Sequence, residues 1–99
     1  MVLRELQLQI RLELETSLSN IESTRARIEV TQKAVEQSEE SLRIESEKYD
    51  YGKGAIVDVL DAQSAMLESQ KNYYRALAEY NTALAQFRLA VGLTDQKGV

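Results

Sequence analysis

Apolar side chains recur every seven residues through most of the chain. Leu14, Ile21, Ile28, Val35, Leu42 and Tyr49 form one unbroken series, the spacing of the a positions of a coiled coil. The positions three later are Ser17, Thr24, Thr31, Ser38 and Glu45, small or polar where leucine would ordinarily sit, so this arm has a narrow, weakly apolar seam and needs a partner helix. Ahead of it, Leu6 to Glu15 alternates apolar and polar, which in isolation reads as a strand. Its Leu, Gln, Glu and Arg are good helix formers, and no turn separates it from the heptads. A helix is therefore predicted here too, with Leu6, Ile10 and Leu14 on one stripe and Leu8 and Leu12 on a neighbouring one.

A second arm repeats the pattern. Ile56, Gln63, Gln70, Leu77, Leu84 and Val91 fall at one heptad position, and Val59, Met66, Tyr73, Tyr80 and Phe87 three later. A further series, Ala55, Ala62, Ser69, Ala76, Ala83 and Ala90, would let a neighbouring helix approach closely. The arm is expected to end at Gly92, a residue suited to the position just past a helix. Between the arms lies the one interruption, Tyr49 to Asp61, where Gly52 and Gly54 can both take the positive φ that reverses a chain.

These patterns predict an all-α fold, an antiparallel two-helix coiled-coil hairpin over residues 1–93, with helices at about 2–48 and 55–91, a turn at about 49–54 and a frayed polar tail at 94–99. Two helices alone bury little apolar surface, and Leu8, Leu12, Leu60, Leu67 and Tyr74 lie beside the main seam. Self-association, or packing into a helical bundle or barrel wall, is the expectation.

Composition narrows the chemistry. The 99 residues contain no His, Cys, Pro or Trp, which removes the usual zinc ligands, disulfides and nucleophile-base pairs. No metal or cofactor is expected, and no enzyme. The net charge of −4 resides in the first half, where 7 basic side chains face 11 acidic ones against 5 of each in residues 51–99. Without a basic stripe, nucleic acid is not an expected partner. No apolar run reaches the roughly 20 residues that span a bilayer, and no signal-peptide layout opens the chain.

Asp58 and Asp61 fall three apart at the start of the second arm, where a helix N-terminus favours acids for purely local reasons. Tyr73, Tyr74 and Tyr80 offer a possible stacking platform, although an aromatic stripe at helical spacing is more commonly packing.

The run Tyr49-x-Tyr51-Gly52-x-Gly54-Ala55-Ile56-Val57-Asp58-Val59-Leu60-Asp61-Ala62-Gln63, followed by an Ala-, Tyr- and Leu-rich helix closing in Leu89-Ala90-Val91-Gly92-Leu93, resembles the second α-helical hairpin of the TolC-type outer-membrane efflux proteins. The resemblance implies the periplasmic helical-barrel part of a trimeric channel that exports drugs or proteins together with a periplasmic adaptor and an inner-membrane transporter. It places the turn at the periplasmic tip, with membrane contact made only by parts of the channel outside this hairpin. Asp58 and Asp61 then match acids ringing the pore entrance, Tyr49 a tyrosine that helps hold it shut, and Gly52 the turn glycine. Tyr51, Lys53 and Val57 become the adaptor-contacting tip. The best-known member has an arginine latch where this chain has Gly54, so an identical latch is not expected. Two alternatives stay open: the hairpin of a periplasmic adaptor, whose tip motif Lys53, Val57 and Ser64 match in spacing but mostly not in residue type, and a generic structural coiled coil.

Overall fold

The computed structural model describes residues 2–96 and shows two helices, α1 (Val2–Asp50) and α2 (Ile56–Gln96), packed against each other as an all-α hairpin. Among the described residues there is no strand, and Leu6 to Glu15 is helical. Straight-chain residues and alanine dominate both helices, and proline is absent. Glu5 in the first turn of α1 and Lys48 in its last carry the signs that complement the helix dipole.

Two compact units divide the chain, one formed by residues 27–76 and the other by the described parts of 1–26 and 77–99. In the first, Ser38 and Ser69 meet hydroxyl to hydroxyl at 2.7 Å. Because the Ser38 hydroxyl spends its hydrogen on the Ala34 carbonyl (2.9 Å), Ser69 is the donor of this pair. The contact fixes the antiparallel register. Steps of seven bring Thr31 opposite Ala76, small facing small as at Ser38 and Ser69, and set Glu45 opposite Ala62. Ala76 is fully buried, and Val59 and Ala62 nearly so, while Ile28, Val35, Leu42, Met66 and Tyr73 are half-buried.

The other unit follows the same rule. Its buried residues are Ile10 and Ser17 on α1 and Ala83 and Ala90 on α2, and Ser17 and Ala90 line one open groove together with Leu12, Leu89 and Leu93. Leu6 and Leu14 join Ile10 on the half-buried stripe, whereas Leu8 and Leu12 stay 53% and 62% exposed. Here the seam hydroxyl of Thr24 bonds within its own helix, donating to the Asn20 carbonyl (2.7 Å), as Thr31 of the 27–76 unit does to that of Arg27 (2.8 Å). Such back-bonding lets a polar side chain occupy a close-packed layer at low cost.

The structure ranks the three series of α2. The series beginning at Ile56 takes part only in places, with Gln70, Leu77 and Leu84 half-buried but Ile56, Gln63 and Val91 exposed. The Val59 series and the alanine series carry the contact more continuously. The reason is geometric: α1 offers small side chains at every second layer, and only alanine or serine opposite them lets the backbones close. α2 also runs on through Gly92 to Gln96. A helix interior accepts glycine at a cost of about 1 kcal/mol, and no left-handed turn forms there. Of the tail expected to fray, residues 94–96 are helical and 97–99 lie outside the described residues.

Candidate functional site

The turn belongs to the unit formed by residues 27–76 and is held by a series of main-chain capping bonds. Past Asp50, Tyr51 N–H still reaches the Glu47 carbonyl (3.0 Å), Gly52 N–H bonds that of Tyr49 (2.9 Å) and Lys53 N–H that of Lys48 (2.7 Å). The last two, with Gly52 at φ +74°, make a Schellman motif that satisfies carbonyls a helix end would otherwise leave open. Gly54 N–H adds a second bond to the Lys48 carbonyl (3.0 Å).

The two glycines serve different ends. Gly52 alone has positive φ, with open space where a Cβ would stand. The expectation that Gly54 shares this role is corrected: a Cβ there would lie 3.0 Å from the Lys48 Cβ and 3.3 Å from the Tyr49 nitrogen. Gly54 is small because the chain folds back onto the end of α1.

α2 then starts with Asp58 N–H on the Ala55 carbonyl (3.1 Å). Asp58 lies in the first turn, where the partial positive charge of the helix start favours it. Asp61 follows one turn on. Both are exposed, and among the described residues neither makes an ion pair. Lys53 is exposed as well. Tyr49, last of the α1 heptad series, leaves the seam and is 46% exposed, and Tyr51 is 78% exposed. Val57 projects into solvent, as does Leu60, which the pattern sets beside the seam, and, unforeseen from the sequence, so does Ile56. The alanine series bears on Ile56, because once Val59 and Ala62 form the seam, Ile56 must point elsewhere.

The turn thus gathers two unpaired carboxylates, two tyrosines, a lysine and an apolar patch on a stapled support. No group of acids among the described residues is arranged to hold a metal ion. Tyr73 and Tyr74 form a tilted ring pair at 5.7 Å, Tyr73 half-buried and Tyr74 exposed, so the seam uses one and leaves the other outside. Among the described residues no helix is long and apolar enough to cross a membrane.

A family model described as outer membrane efflux protein matches residues 3–93. No curated protein and no solved structure matches.

Proposed function

The chain belongs to the outer membrane efflux protein family, whose members are channel proteins rather than enzymes and work in tripartite systems with an adaptor and a transporter, and from that premise we propose that it forms a periplasmic coiled-coil hairpin, the second of such a channel. In this reading the turn is the entrance and adaptor-docking tip. Asp58 and Asp61 ring the pore mouth, Tyr49 narrows it, and Tyr51, Lys53 and Val57 meet the adaptor. The full-length channel is a homotrimer in the bacterial outer membrane.

The observation that carries the proposal is the contrast at the turn, where the Schellman bonds and their neighbours cap the end of α1 while Asp58, Asp61, Tyr49 and Val57 all face solvent. A hairpin serving only as a strut has no need for unpaired acids and exposed apolar side chains at a rigid end. Symmetry would multiply the two carboxylates around an opening and concentrate negative potential there, drawing in cations. Gly54 provides no side chain for a latch, so closure would depend on Tyr49 and the acids.

The test replaces both acids by Asn in the full-length channel. D58N/D61N is expected to keep its helical content and to lose block by divalent cations in single-channel recordings. Block that survives the double substitution overturns the assignment of these two residues. Neither the adaptor hairpin nor the generic coiled coil gains support from the family match.

A further inference from the structure

Glu45 occupies a place that the rest of the seam reserves for small side chains. Its heptad predecessors on α1 are Ser17, Thr24, Thr31 and Ser38, buried or half-buried and, where their bonds are known, satisfied locally. One heptad beyond the Ser38–Ser69 contact, the register sets Glu45 opposite the buried Ala62, in the last small-residue layer before the turn. Its side chain retains only 29% exposure, and its sole ion pair among the described residues is with Lys48 Nζ at 3.7 Å.

A partly covered carboxylate gives up some of its hydration where its heptad predecessors have no charge to dehydrate, and a long pair to an exposed lysine compensates little. The surroundings add to the imbalance. On α1, Glu47 and Asp50 share the last turns with Glu45, at the helix end whose dipole disfavours negative charge. On α2, Asp58 and Asp61 flank Val59. With Glu47 paired to Arg43, which Glu40 shares, Lys48 and Lys53 stand against the remaining four acids.

We propose that Glu45 makes this layer the breathing point of the hairpin, the place where the two arms part first and where the turn gains freedom to move while the Ser38–Ser69 layer holds. The inference concerns the coiled coil itself and does not depend on Asp58 and Asp61 lining a pore.

Hydrogen exchange on the 99-residue chain tests it, with the amides around Thr31 and Ala76 as internal reference so that global opening cancels. In E45Q, which removes the charge at nearly constant shape, amides of residues 42–48 and 59–66 are expected to exchange several-fold more slowly relative to that reference. E45S, which restores the small hydroxyl of the preceding layers, is expected to slow them further and to raise the melting temperature. Unchanged or faster relative exchange in E45Q overturns the proposal, whatever E45S does.

Discussion

The layer at Ser38 and Ser69 and the turn at 49–61 lie in one unit and on the same two helices, yet they use side chains in opposite ways. At the serine layer small residues face small residues, the hydroxyls satisfy one another and a backbone carbonyl, and Ala76 nearby has no exposed surface. At the turn the backbone satisfies itself through the Schellman bonds, and large or charged side chains project into water. The seam spends sequence on closeness. The turn obtains its order from glycine geometry and main-chain bonds, which frees its side chains for other uses. A defined turn conformation without side-chain burial suits a recognition tip.

The contrast is broken most severely in the seam. Ala76→Leu would force a branched side chain into a layer with no exposed surface, and overpacking of that kind costs about 1–3 kcal/mol. A large drop in melting temperature is expected, measured by circular dichroism. Leu67→Ala, at a 63% exposed position on the same helix, should stay within about 0.5 kcal/mol. Equal effects at the two sites would show that the alanine series is not the contact.

That comparison also marks what could be read from the sequence. The heptad series of α1 and the turn were legible because they rest on spacing and on Gly52, two local signals. The seam of α2 was legible only in part: the Val59 and alanine series stood out as heptads, but spacing does not rank them above the series of Ile56, Leu77 and Leu84, whereas close approach does. The clue lay in the other helix: Ser17, Thr24, Thr31 and Ser38 look like a weak seam alone and become a tight one once alanines face them. Gly54 was legible as a turn residue but not as a steric one, since its constraint comes from the folded-back end of α1. At the candidate site the sequence located the acids and set Leu60 beside the seam, while the exposure of Ile56 depended on knowing which α2 series is buried.

The turn itself separates into two testable halves. Gly52→Ala meets no neighbour but must hold φ +74°, a strain of roughly 1–2 kcal/mol. Gly54→Ala has ordinary φ but places a methyl 3.0 Å from the Lys48 Cβ, an overpacking of about 1 kcal/mol or somewhat more. Asparagine, which tolerates the left-handed region, should recover part of the loss at position 52 and none at position 54. Thermal melts of the four variants check this, and recovery at both positions would place the two glycines in a single role.

The smallest expected effect lies on the outer face of α1, where Arg43 donates to Glu40 at 2.5 and 3.0 Å and to Glu47 at 2.7 Å. The hydrogen bond from Arg43 holds the Glu40 carboxyl below its ordinary range, and its charge adds to the effect. Arg43 is correspondingly held above its own ordinary value, chiefly by its bond to Glu40. A depressed carboxylate contributes stability that is present above its unfolded value and disappears as pH falls through the lowered folded one. The fork should therefore persist at neutral pH and loosen only in acid, below the range where exposed glutamates titrate. Full exposure and salt screening keep the contribution slight. Side-chain NMR titration of Glu40 is expected to show a midpoint below that of the other exposed glutamates, moving back toward them in R43Q or at high salt. A midpoint indifferent to both changes would mean that the fork contributes nothing in solution, leaving the seam and the turn as the two places where this hairpin gains its order.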